Sequence, residues 1–143
     1  MMMDPLGVVG TRFSLSGDGR FRRLFIDAAR RPPDSVPRIT TVRTVVLSRR
    51  PTKTMVGLTR YSRVRFFLLS RPQQSITFYS SLFDSLSDSA ATAVIAHELA
   101  HAWLNEHVRP EESRTREVEA DSLAREWGFG PDLDALDREA ETV

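Results

Sequence analysis

The sequence of 143 residues contains no cysteine and a single lysine, Lys53. The lack of cysteine excludes disulfide bonds, thiolate metal ligands and a cysteine nucleophile. No apolar run approaches the roughly 20 residues that a membrane-spanning helix needs, and residues 1–17 lack a basic segment followed by a long apolar stretch. We therefore predict a single intracellular, cytoplasmic domain over residues 1–143, with neither a signal peptide nor a membrane span.

Charge is distributed unevenly along the chain, although the net charge is only +1. Residues 1–75 hold 15 basic and 4 acidic side chains, whereas residues 76–143 hold 5 basic and 15 acidic side chains. One interpretation is an arginine-rich face that binds nucleic acid or another acidic partner. The other interpretation, favoured because the arginines are scattered through predicted strands, is that the two halves pack together and neutralise each other.

Hydrophobic periodicity places strands mainly in the first half of the chain and helices in the second. The pattern predicts a helix over Asp18–Arg31, a strand over Arg38–Ser48, and a hairpin in which "RPQQ" joins strands at Arg63–Ser70 and Ser75–Phe83. Three further helices are predicted from "LSDSAATAVIAHELAHAWLNEH", "PEESRTREVEADSLAREWGFG" and "PDLDALDREA". We predict an α+β fold in which a small mixed or antiparallel sheet of three to four strands packs on the first two of these helices.

Residue types typical of helix ends mark the boundaries of these helices. Asp88 or Ser89 is the predicted N-cap of the first. A loop is predicted at "RPEES", and it overlaps the start of the second helix, which is predicted near Pro110. This helix is predicted to end at Gly128 or Gly130.

The segment "AVIAHELAHAWL", residues 93–104, holds two of the three histidines, with Glu98 directly after the first. On a helix of 3.6 residues per turn, His97 and His101 project from one face, so both imidazoles can reach one Zn²⁺ at about 2.0–2.1 Å. Glu98 borders that face and is positioned to act as a general base. The alternative is a buried amphipathic helix whose histidines are hydrogen-bonded within a polar seam.

A catalytic zinc needs three protein ligands and an open position for water, and two sources of the third ligand compete. His107 matches the last histidine of H-E-x-x-H-x-x-G-x-x-H, the metzincin pattern, but Leu104 replaces its glycine and no methionine follows Met55. Glu117 and Asp121, in "REVEAD", share one face of the next predicted helix. "HELAH" and "EVEAD" together favour Glu117 as the ligand and Asp121 as the acceptor of a ligating histidine's outer N–H. The alternative is an acidic helix paired with its own arginines.

"HELAH" followed by "EVEAD" resembles the gluzincin zinc peptidases, most closely the CAAX-protease-like and heat-shock membrane peptidases. In size the chain is similar to the soluble minigluzincins, and the resemblance covers residues 75–130. It implies one Zn²⁺ per chain held by the two motif histidines and Glu117, with Glu98 as general base and Asp121 beside the ligands. It also implies that the strand before the helix binds a peptide or protein substrate by strand addition, through Ser75, Ile76, Thr77, Phe78 and Tyr79.

The expected function is zinc-dependent peptide-bond hydrolysis by a small soluble endopeptidase, in which a water activated by Glu98 attacks the scissile carbonyl. The alternative is a regulatory zinc-binding domain that recognises a peptide or nucleic acid through the arginine-rich half. The resemblance also implies a group that stabilises the oxyanion, for which the candidates are Tyr79, His107, Arg114 and Arg125. SprT-like proteases and ImmA/IrrE-like regulators have similar helices. The former need a histidine beyond His107, and the latter usually adjoin a helix-turn-helix; the sequence shows neither.

Overall fold

The computed structural model describes residues 1–50, 57–66, 69–108 and 116–141, with side chains for 1–50, 73–108 and 116–140. The strands are β1 Met2–Met3, β2 Phe13–Ser16, β3 Val42–Ser48, β4 Gly57–Phe66 and β5 Leu69–Tyr79. The α-helices are α1 Gly19–Arg30, α2 Ser80–Phe83, α3 Asp88–His107, α4 Arg116–Ala124 and α5 Gly130–Glu141. A π-helical turn, Arg125–Phe129, joins α4 to α5. Among the helices of the described residues, none combines the length and the apolarity that crossing a bilayer requires.

The strands form one mixed sheet in the order β1-β2-β3-β5-β4. β3 lies parallel to β2 and to β5, while β1 and β4 pair antiparallel with their neighbours at the two edges. The predicted α+β class with a mixed sheet is confirmed. The sheet has more strands than predicted because β1 and β2, with two and four residues, are too short to produce a clear hydrophobic pattern.

The predicted hairpin is present, but its turn lies elsewhere. β4 and β5 pair from Gly57 with Phe78 to Phe66 with Leu69, so "RPQQ" lies inside β5. Proline has no backbone N–H to donate to a neighbouring strand. Pro72 is tolerated in β5 because the pairing of β5 with β3 starts only at Gln74, so at Pro72 the strand has a paired neighbour on one side only. The strand predicted over Ser75–Phe83 ends at Tyr79, because α2 follows directly.

Helices pack on one face of the sheet. Alternate residues of β5, namely Gln74, Ile76 and Phe78, are buried, whereas those between them are partly exposed. The Phe21 ring of α1 lies 5.3 Å from that of Phe78 and 5.5 Å from that of Phe83, which places α1 on the buried face. The helix predicted over Asp18–Arg31 is confirmed as α1, and its apolar residues at helical spacing are all buried: Phe21, Leu24, Phe25 and Ala28.

The helix boundaries differ slightly from the predicted ones. α3 is capped by Ser87, whose hydroxyl accepts from the Ala90 N–H, so the predicted N-cap at Asp88 or Ser89 is one or two residues late. The helix predicted to run to Gly128 or Gly130 leaves α-helical geometry after Ala124, and Gly128 has a φ of 98°. The loop predicted at "RPEES" and the helix start predicted near Pro110 lie outside the described residues.

Ion pairs connect the basic first half to the acidic second half. Asp88 at the start of α3 binds Arg20 at 2.9 Å and Arg23 at 3.3 Å. Arg31 binds Asp132 of α5 at 2.6 Å. These contacts support the interpretation that the two halves pack together and partly neutralise each other.

Candidate metal centre

The helix α3 carries the two motif histidines and Glu98 within a segment that is otherwise apolar. Its alanine-rich sequence favours helix intrinsically, and its buried residues surround most of the helix circumference. His97 and His101 are one turn apart, and their side chains are 21% and 13% exposed. The histidines therefore lie where this buried helix reaches the surface.

Three donor atoms converge at this position. The Nε2 atom of His97 lies 2.9 Å from Oε2 of Glu117, and the Nε2 atom of His101 lies 2.7 Å from Oε1 of the same carboxylate. The two Nε2 atoms are 3.0 Å apart, with the imidazole planes inclined at 82°. Within the described residues, this is the group of three or more histidine and acidic side chains that can hold one metal ion.

The geometry of these donors fits a zinc ion. Two imidazole nitrogens and a carboxylate oxygen form a ligand set typical of catalytic zinc, which leaves a fourth position open. Tetrahedral zinc with bonds of about 2.0–2.1 Å separates neighbouring ligand atoms by about 3.3 Å. The two imidazole nitrogens, 3.0 Å apart, need to open by only a few tenths of an ångström, and the Glu117 carboxylate has one oxygen within 2.9 Å of each of them.

The histidines also influence the ionisation of Glu117. Burial by itself raises the pKa of this carboxyl, but the charges and hydrogen bonds of His97 and His101 outweigh that effect, and the pKa is lowered. The Glu117 side chain is nevertheless 76% exposed. An ionised carboxylate is the form that binds a metal ion.

Glu98, the predicted general base, is only 7% exposed. A glutamate is seldom this buried unless it is paired. It follows His97 directly, which places it about 100° around the helix from a ligand. The structure therefore places Glu98 on α3, directly after a ligand in the sequence, and largely away from solvent.

Asp121 lies on α4, one turn after Glu117, as predicted. Its carboxylate accepts from the Nε–H of Arg125 at 3.1 Å, and Arg125 also donates to Asp134 at 3.1 Å. Across the described side chains, the contacts of Asp121 do not include either motif histidine. Its predicted hydrogen bond to a ligating histidine remains a prediction.

His107 is directed away from the donor triad. Its Nε2 atom lies 3.1 Å from the carbonyl oxygen of Arg38 and 2.9 Å from a carboxylate oxygen of Glu106. α3 continues through the buried Leu104 to His107, so the helix does not end where the metzincin pattern requires glycine. Of the two competing third ligands, Glu117 is the one that reaches the histidines.

The structure does not bring the described oxyanion candidates to the triad. Arg125 is held between Asp121 and Asp134, and His107 is bound to Arg38 and Glu106. Side chains alternate between the two faces along β5, and Tyr79 is one of the residues on the partly exposed face. This face is opposite the one on which α1 and α3 pack. Arg114 lies outside the described residues.

The predicted substrate strand is not an edge strand. Residues 75–78 of β5 pair with β3 on one side and with β4 on the other. Their main-chain groups are occupied in both ladders, so strand addition at these positions is not possible. The prediction of strand addition is therefore wrong for Ser75, Ile76, Thr77 and Phe78. Tyr79 pairs only with β3 in the described sheet, so its predicted contact with substrate stays a prediction.

A buried polar residue that the sequence does not predict contacts α3 next to a ligand. Gln74 of β5 is buried and donates a hydrogen bond to the carbonyl of Ala102, directly after His101. A signal for it exists in the sequence, since Gln74 alternates with the apolar Ile76 and Phe78 in a period-2 strand pattern. A polar side chain at such a buried position must have hydrogen-bond partners.

The fold and the donor triad define a zincin-like metallopeptidase domain of the gluzincin type. The family model of peptidase family M48 matches residues 41–112, half of the chain, and the chain belongs to this family. The matched residues include both histidines and Glu98 but end before Glu117, whose place in the triad is seen in the structure. No curated protein and no solved structure matches the chain.

Proposed function

We propose that this protein is a zinc-dependent endopeptidase whose metal ligands are His97, His101 and Glu117, with one zinc ion per chain. The observation that supports this most strongly is the convergence of three donor atoms from α3 and α4 beside a buried glutamate. When bound, zinc supplies a Lewis acid that polarises the scissile carbonyl and makes water a better nucleophile at neutral pH.

Glu98 is the general base in this proposal. Its carboxylate accepts a proton from the attacking water and passes it to the leaving amine as the peptide bond breaks. A purely structural zinc site has no need of a base next to a ligand, so the position of Glu98 favours catalysis over a structural role. Its burial limits competition from bulk water for this proton.

The strand that aligns the substrate in this proposal is β4. It is the last strand in the sheet order, and it contacts α3, the helix that carries both histidines. One side of β4 pairs with β5, so in the described sheet the other side offers main-chain groups to an extended peptide. This assignment replaces the one made for residues 75–78.

The experiment compares wild type with Glu98→Gln on an unfolded protein substrate, with zinc content measured on the same samples. We expect Glu98→Gln to retain zinc and to lose cleavage by at least about 100-fold, because general-base catalysis contributes about 10²–10⁴-fold. Equal cleavage by both proteins would refute the role of Glu98. Zinc in both proteins with no cleavage by either would favour the regulatory zinc-binding alternative.

A further inference from the structure

Gln74 joins three separate elements of the fold. Its side-chain amide donates at 2.8 Å to the Thr41 hydroxyl and at 2.8 Å to the Ala102 carbonyl, and its amide oxygen accepts from Asn105 at 3.1 Å. Its backbone N–H donates to the Thr41 carbonyl at 2.8 Å. The side chain is 1% exposed, and each of its polar atoms is bonded. One buried amide thus links Thr41, the residue before β3, to the strand β5 and the helix α3.

The buried surface of α3 combines small side chains with larger ones. Six of its twelve buried residues are alanines: Ala90, Ala91, Ala93, Ala96, Ala100 and Ala102. Alanine presents shallow ridges, so it interlocks less with a neighbouring surface than larger side chains do. Directional hydrogen bonds therefore add to the larger apolar side chains in setting how far α3 is displaced along its axis.

The bonds from Gln74 reach α3 at the turn that carries a ligand. Ala102 directly follows His101, and Asn105 lies one turn further along the helix. We propose that Gln74 is a positioning residue that sets the location of His101 relative to Glu117, and so prearranges the metal site. This inference rests on the proposed function, because it assumes that the triad binds a metal ion.

The test measures metal coordination rather than turnover. Metal-free wild type and Gln74→Leu are titrated with Co²⁺, which reports ligand geometry through its visible absorption, and affinity is determined by chelator competition. The control is Leu15→Ala, a core truncation in β2, a strand that does not pair with β5. Thermal unfolding of each metal-free protein gives the loss of stability, against which a merely structural effect is judged.

We expect Gln74→Leu to weaken Co²⁺ binding by about 10-fold or more, the range seen when groups that orient metal ligands are removed. Its Co²⁺ absorption bands should also differ from those of wild type. Leu15→Ala should lose stability but keep the wild-type affinity and spectrum. Wild-type affinity and spectrum in Gln74→Leu, or the same changes in Leu15→Ala, would overturn the inference.

Two milder variants serve if Gln74→Leu does not fold. Asn105→Ala removes one link from Gln74 to α3, and Thr41→Val removes one link to β3. We expect each to weaken Co²⁺ binding several-fold, and wild-type affinity in both would overturn the inference. Failure of wild type itself to bind Co²⁺ is a distinct outcome, which would overturn the proposed function and this inference with it.

Discussion

Zinc should stabilise the folded protein through Glu117, and this effect has a calculable size. A ligand that binds only the folded state at a free concentration 100 times its Kd adds about 2.7 kcal/mol to the free energy of unfolding. A chain of this length has an unfolding entropy of about 0.3 kcal/mol/K near 60 °C. The expected rise in Tm is therefore about 9 °C.

Glu117→Gln should lose most of this rise in Tm, because an amide is a poorer zinc ligand than a carboxylate. A small part of the rise should remain, because the two histidines can still bind zinc weakly. In the absence of metal the same variant should change the free energy of unfolding by less than about 1 kcal/mol, because Glu117 is mostly exposed and its contacts with the histidines are partly solvated. The assay is calorimetric unfolding of metal-free protein with and without zinc, buffered at a fixed free concentration.

His107→Ala is the matched control for this experiment, since it removes a histidine of α3 whose contacts are with Arg38, Glu106 and the Trp103 ring. It should retain the full zinc-dependent rise in Tm. An equal rise in wild type and Glu117→Gln, or loss of the rise in His107→Ala, would refute the assignment of the third ligand.

Two further predictions concern the scaffold. Phe21→Ala should lower the free energy of unfolding by about 3–5 kcal/mol, because this buried ring packs against three other phenylalanine rings; a loss below about 1 kcal/mol in urea unfolding would contradict the packing described. The side-chain and backbone hydrogen bonds from Ser87 lower the pKa of Glu139. A carboxyl with a lowered pKa in the folded state stabilises the protein above its ordinary pKa and loses this contribution as the pH falls. Glu139→Gln should therefore make the free energy of unfolding less dependent on pH between about pH 5 and pH 3. A pH dependence identical to that of wild type would show that this contact contributes nothing.

The features predicted from sequence depend on local periodicity. The histidines of "HELAH" must share a face of any helix that contains them, and α1 buries Phe21 and Leu24 because its apolar residues recur at helical spacing. The spacing within "EVEAD" likewise places Glu117 and Asp121 on one face of α4. These relations need no knowledge of the remainder of the fold.

The features that were not predicted depend on pairing between distant segments. β5 is interior because β3, about 30 residues earlier, occupies its second edge, and no local pattern in Ser75–Tyr79 records that partner. The partners of Gln74 are 33 and 28 residues away along the chain. The π-helical turn at Arg125–Phe129 follows a continuous helical pattern, so its backbone geometry was not evident from sequence.

The most direct test of the central claim is the zinc content of purified protein, measured by mass spectrometry after reconstitution. We expect one zinc ion per chain in wild type and in His107→Ala, and almost none in Glu117→Ala or His101→Ala. Zinc retained in Glu117→Ala but lost in His107→Ala would contradict the assigned triad, and a wild-type protein without zinc would contradict the metallopeptidase mechanism as a whole.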